Sequence, residues 1–180
     1  MSQLAEILAL EYGAYEMEAK QISISAGLHD IGKIRVSRKI LDKPGKLDPQ
    51  EYELIKLHTK YGAKILSDIC GKLGEMAQNT ALYHHEFWDG SQSYWGRKSA
   101  DLPEYISIIS LCDVFCALTA KRSYKEAWSI ASAAKYIENR GGTQFKPALT
   151  ELFLKALYQE NNNIKNIIEK MQNGYVKIYV

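Results

Sequence analysis

The sequence predicts an all-α protein, a bundle of about seven or eight helices forming one domain over residues 1–180. Three observations carry that reading. One segment of helical apolar period follows another along the chain. Asp48-Pro49-Gln50-Glu51 spells out a helix start, with Asp at the N-cap, Pro in the first turn and Glu at the third helical position. The one run of strand-forming residues, Tyr175-Val176-Lys177-Ile178-Tyr179-Val180, is confined to the C-terminal end.

The elements follow in order. Residues 2–12 form an amphipathic helix whose Leu4, Ile7 and Leu8 share a face, and Gly13 ends it. Residues 16–31 form a second helix carrying His29 and Asp30 at its C-terminal end. Residues 35–47, with Pro44-Gly45, read as a loop. The helix opened by Asp48 carries His58 and runs to about residue 69, and residues 72–85 form a fourth, ending in His84-His85. The stretch 86–101 is polar and aromatic without helical period. Pro103 opens a long apolar helix through Leu118, with Asp113 in its middle. Ser129 caps a helix that stops at Gly141-Gly142. Residues 146–158 and 162–172 supply two more, Asn173-Gly174 is a turn, and residues 175–180 form a short strand or extended arm.

Bulk properties narrow the function classes. A formal net charge of +2 gives no argument for binding a nucleic-acid polymer. No apolar run is long enough to insert in a membrane and no segment reads as a signal peptide, so the expected location is cytoplasmic. Cys70, Cys112 and Cys116 form no CxxC pattern, and an odd count argues against a disulfide framework. They read as small core residues in a reducing compartment.

Histidine carries the chemistry. The chain has 4, and three stand in two blocks: His29-Asp30-Ile31-Gly32-Lys33, and His84-His85-Glu86 leading into Trp88-Asp89-Gly90-Ser91. His58 lies between them. Imidazole with carboxylate suits transition metals, and a carboxylate can bridge two ions. His29 and Asp30 are adjacent, so on a regular helix their side chains diverge by about 100°. They can share an ion only if the helix end bends or the ion sits at its terminus, which Gly32 permits. Asp113 stands in the apolar run from Ile106 to Phe115, where an ionised carboxylate is costly unless paired or metal-bound.

Taken together these residues resemble the HD-GYP domain, a branch of the HD metal-dependent phosphohydrolases. The likeness runs from Ala26 to about Leu154. It rests on the His29-Asp30 block, Leu41 to Leu47, Lys56-Leu57-His58 with Gly62, and His84 to Ser91. Asp113-Val114-Phe115, Ala117-Leu118-Thr119, Arg122-Ser123-Tyr124-Lys125 and Gly142-Thr143 with Phe145 and Pro147 complete it.

The resemblance implies an HD-domain helical bundle with a metal centre of two or three ions; two divalent transition-metal ions are expected here, and the mixed His/carboxylate set suits Fe, Mn or Ni, with Zn not excluded. It implies hydrolysis of cyclic di-GMP or a related phosphodiester in bacterial signalling. His29, Asp30, His58, His84, His85 and Asp113 would be the metal ligands, with Asp30 bridging. Lys33 would stand beside the attacked phosphate, and Arg122 and Lys125 would contact substrate phosphates. The partners it implies are a cyclic dinucleotide and a diguanylate cyclase or other signalling protein, with a homodimer as assembly.

The chain departs from the family pattern in three respects. The Gly-Tyr-Pro signature is replaced by Gln92-Ser93-Tyr94, followed by Trp95-Gly96. Tyr94 and Trp95 keep aromatic faces on which a base can stack, while the backbone that Gly and Pro fix is altered. A further ligand His, usual in the family upstream of the first helix, is not among these residues, so the ion held by His29, Asp30 and Asp113 would be one protein ligand short. Thr59 stands in place of a Pro, Ser107 in place of an Arg and Lys146 in place of an Asp. These departures frame an alternative, a degenerate module that binds metal, nucleotide or a partner without turnover; a phosphohydrolase for another nucleotide is the third reading.

Overall fold

The computed structural model describes residues 1–120 and 127–158. Among these it forms eight α-helices and no strand: α1 Ser2–Glu11, α2 Glu16–Leu28, α3 Arg38–Leu41, α4 Pro49–Ile65, α5 Gly71–Tyr83, α6 Glu104–Thr119, α7 Ile130–Asn139 and α8 Pro147–Tyr158. The all-α expectation stands. Arg122, Lys125, the helix expected at 162–172 and the arm expected at 175–180 lie outside the described residues.

The helix starts follow local chemistry. Asp48 accepts from the Glu51 N–H while the Glu51 carboxylate accepts from the Asp48 N–H, a reciprocal capping box with Pro49 in the first turn. Ser129 caps α7 by accepting from the Ser132 N–H. In α6, ten positions are buried, Ile106 to Cys112 without a break. A helix apolar all round must lie centrally, and α6 packs against α1, α2, α5, α7 and α8.

The main core is built on that helix. Leu4 and Leu8 of α1, Ile22 of α2, Ile109 and Phe115 of α6, Ile137 of α7 and Phe153 of α8 belong to one buried cluster. Phe115 meets Phe153 edge to face at 5.0 Å. Cys112 and Cys116 are buried free thiols in it, whereas Cys70, expected in the core, is exposed just before α5, a correction to the sequence reading. A smaller cluster of Leu66, Ala77 and Ala81 joins α5 to the end of α4.

Two sequence expectations need correction. The second helix ends at Leu28, not at 31: His29 is its C-cap, Asp30 leaves helical geometry at φ −101°, ψ 7°, and a 3-10 helix, Ile31–Arg35, follows. This short helix lies against α4, and the tighter turn lets Gly32 reach the α4 backbone. The segment 35–47 is not all loop either, since Ser37 precedes the single turn α3 before the chain turns at Gly45, φ +110°.

Candidate metal centre

Three helix-borne segments and the centre of α6 bring the sequence-predicted residues together. His29 and Asp30 come from the end of α2, His58 from the middle of α4, His84 and His85 from the end of α5, and Asp113 from α6. The bend after Leu28 solves the problem of adjacent side chains, because Asp30 no longer follows the helical rotation that His29 still obeys.

The distances are short. Asp30 lies 3.1 Å from His29 Nε2 through Oδ2, and 3.2 Å from His58 Nε2 through Oδ1. His84 Nε2 is 3.8 Å from Asp30 Oδ1 and 3.4 Å from His58 Nε2. Asp113 Oδ1 is 3.4 Å from His29 Nε2. Lys33 Nζ donates to Asp30 Oδ2 at 2.6 Å. Two triads of donor atoms, His58/His84/His85 and His29/Asp30/His84, each fall within 4.8 Å of one another, a spacing that could hold a metal ion.

Hydrogen bonds fix the tautomers of three histidines. His29 Nδ1 faces the Ala26 carbonyl at 2.8 Å, His58 Nδ1 that of Ile55 at 2.6 Å, and His84 Nδ1 that of Thr80 at 3.0 Å. A carbonyl only accepts, so each Nδ1 carries a proton; His29 Nε2 is protonated as well and faces Asp30 and Asp113, while the Nε2 lone pairs of His58 and His84 turn inward. A backbone carbonyl behind the ring is the usual support of a metal-binding histidine. The inward lone pairs of His58 and His84 thus face one another and Asp30 Oδ1, which is buried without a hydrogen-bond partner. Buried lone pairs and a carboxylate oxygen turned toward one another favour positive charge between them, and this donor set fits divalent cations.

The ionisation behaviour agrees. Burial weighs against charge on His29, but the Asp113 and Asp30 carboxylates outweigh it and raise its pKa to about 10. Burial likewise opposes charge on Asp30, and His29 first of all overrides it, holding the carboxyl far below the usual range. Asp113 falls to about 2 because His29 overcomes its burial. His84 is driven well below its ordinary value by burial and then by His85, and burial takes His85 down to about 4. Neutral His84 and His85 and ionised Asp30 and Asp113 are the ligand forms that a metal requires.

The loop after α5 closes one side. Tyr94 stacks on His85, with ring centroids 4.4 Å apart and planes at 23°. Glu86, 1% exposed, accepts the backbone N–H groups of Trp95 and Arg97, each at 2.9 Å. Ser93 Oγ bridges the neck of the loop, accepting from the Phe87 N–H and donating to the Arg97 carbonyl. The base of the loop pairs with residues 143–144 through Trp88 N–H to Gln144 and Asp89 N–H to Thr143. Sequence reasoning gave Glu86 no role; its place directly after His84-His85 was the available signal.

Comparison with known proteins identifies a family and relatives. The HD domain family matches residues 1–149. The chain is 41% identical over 150 residues to 3'3'-cGAMP-specific phosphodiesterase 2 of Vibrio cholerae, covering 83% of this chain and 29% of that protein. It is 38% identical to a cyclic di-GMP phosphodiesterase of Thermotoga maritima, covering 82% of this chain and 40% of the relative. The chain therefore spans well under half the length of these curated relatives. The fold is similar to that of the HDG"Y"P protein Bd1817 from Bdellovibrio bacteriovorus, with a TM-score of 0.67 at 20% identity over 88% of this chain and 50% of that one. Motif, fold and match together place the chain in the HD-domain family, within its HD-GYP branch.

Proposed function

We propose that this chain is a metal-dependent phosphodiesterase of HD-GYP type that hydrolyses a cyclic dinucleotide, cyclic di-GMP or 3'3'-cGAMP. The observation that carries the reading is the convergence of inward histidine lone pairs on Asp30 Oδ1, a buried oxygen without a hydrogen-bond partner. The named activities of relatives 41% and 38% identical support the substrate class. Two divalent ions fit the donor set, Fe, Mn and Ni first and Zn next. One would take His58, His84 and His85, the other His29 and Asp113, with Asp30 between them. A cytoplasmic signalling role, with a diguanylate cyclase or a second copy as partner, belongs to the same reading.

When bound, such ions supply Lewis acidity toward phosphoryl oxygens and lower the pKa of water. The chain's own residues do the rest. Asp30 balances cationic charge at the centre, and Asp113 holds His29 in place. Lys33, tethered to Asp30, adds a fixed ammonium where negative charge grows on phosphate. Arg122 and Lys125 are proposed to bind the phosphate flanks. Tyr94 is proposed to meet a base or sugar at the rim.

The test is hydrolysis of cyclic di-GMP and 3'3'-cGAMP by Mn-loaded chain, with products separated by chromatography. Linear dinucleotide or mononucleotide product is expected from at least one of the two. Saturable binding of either without product would instead favour a non-catalytic binding module.

A further inference from the structure

Three of the four histidines are aimed by a carbonyl behind the ring. His85 is the exception: among the described residues neither of its ring nitrogens has a hydrogen-bond partner. Aromatic packing holds it instead. His84 lies at 4.1 Å between centroids, His58 at 5.3 Å, and Tyr94 is stacked at 4.4 Å.

Tyr94 is in turn seated by its neighbour. The Trp95 backbone N–H donates to Glu86 and its indole Nε1–H donates to Thr59 Oγ1 at 3.0 Å. Thr59 is fully buried, and its own hydroxyl proton goes to the Lys56 carbonyl at 2.8 Å, leaving its lone pairs to accept. Lys60 Nζ sits 3.6 Å from the Trp95 ring centroid, and Lys56 Nζ reaches both rings, at 5.3 Å from Trp95 and 5.6 Å from Tyr94. Thr59 directly follows His58, so these contacts tie the helix carrying one histidine to the loop that covers another.

We propose that Thr59 and Trp95 form a latch that seats Tyr94 on His85, making Tyr94 the positioning residue for that ring. Tyr94 thereby does for His85 what backbone carbonyls do for the other three. The proposal rests on reading the cluster as a metal centre. It also explains why two departures from the family pattern occur together. A proline at position 59 has no hydroxyl to receive an indole N–H, and a loop without Gly-Tyr-Pro needs another tether.

The test is a Mn2+ titration by calorimetry on the full chain and on Tyr94→Leu, Tyr94→Phe, Thr59→Val and Trp95→Phe, with thermal melting to verify folding. Tyr94→Leu, Thr59→Val and Trp95→Phe are each expected to weaken one Mn2+ equivalent about tenfold, the lower end for loss of an outer support. Tyr94→Phe keeps the ring and should bind like the parent. The double variant Thr59→Val/Trp95→Phe should bind no more weakly than either single one, because the pair acts as a unit. Hydrogen exchange at the Trp95 indole N–H reads the latch without metal: slow in the parent, fast in Thr59→Val. Unchanged Mn2+ affinity in Tyr94→Leu overturns the positioning role alone, and equally fast indole exchange in parent and Thr59→Val overturns the latch. A parent chain that binds no Mn2+ overturns the metal reading and this proposal with it.

Discussion

Gly32 lies directly against the backbone of His58: a Cβ built on Gly32 would stand 1.9 Å from the His58 carbonyl oxygen and 2.4 Å from the Gly62 nitrogen. Both obstacles are main-chain atoms of α4, so no rotamer change relieves the contact. Gly32→Ala must therefore push the 3-10 helix away from α4 and separate Asp30 from His58. Overpacking of this kind costs about 1–3 kcal/mol. The expected outcome is a lower urea midpoint with an unchanged m value, together with fewer Mn2+ ions retained after dialysis. Parent-like stability and metal content would show that α4 yields without disturbing the site.

Asp30→Asn keeps the shape of the side chain and removes its charge. The amide cannot balance cations and would present either N–H groups or a weaker oxygen to His58, His84 and Lys33. Loss of an outer support costs about 10–100-fold in metal affinity, so loss of this central carboxylate should exceed about 100-fold. Elemental analysis of protein purified without chelator should find the parent's metal absent from the variant, and hydrolysis should vanish with it. Retention of both metal and turnover would remove Asp30 from the centre of the mechanism.

The fold was legible because its signals are local. The capping box at Asp48 and Glu51 and the apolar run through α6 each specify one element without tertiary information. The two histidine blocks and Asp113 were legible as chemistry, since an acid in so apolar a helix needs a partner. What could not be read was the end of α2. Its helical pattern continues past Leu28, and the turn there is imposed by the approach of Gly32 to α4. The departures at Thr59, Ser107 and Lys146 were visible, but their partners were not. Trp95, Ser99 and Glu104 meet them only in space. Those pairings come from tertiary contact, between partners 36, 8 and 42 positions apart in sequence.

The pH dependence follows from His29. Its pKa in the metal-free fold is about 10, against 6.5 for a free imidazole. A raised folded pKa contributes stability that is complete below pH 6.5 and is lost as pH climbs toward 10. His84 and His85 are depressed, so their contribution is complete above pH 6.5 and lost only on the acid side. Between these limits His29 alone of the three changes the balance. A metal ion must displace its proton, so metal affinity should rise with pH there, about tenfold per unit for one proton released. Melting temperatures measured with chelator and with Mn2+ should diverge as pH is raised from about 6.5 to about 8.5. A constant gap over that range would mean that no proton leaves on binding.

Glu86 is the buried carboxylate on which the substituted loop hangs. Its two oxygens take separate backbone donors, Oε1 the Trp95 N–H and Oε2 the Arg97 N–H. Glu86→Gln preserves volume but turns one acceptor into an NH2 group, which must face an N–H it cannot receive. One charge-assisted bond weakens and the other donor is left unpaired, at a cost of about 1–3 kcal/mol. The strain should fall on the loop before the core, because both bonds that Glu86 makes go to loop backbone, at Trp95 and Arg97. Hydrogen exchange should therefore quicken at the Trp95 and Arg97 amides while amides of α6 keep their protection relative to global unfolding. If all amides quicken equally, Glu86 supports the whole fold; if none does, the loop is held by Ser93 and Thr59 without it.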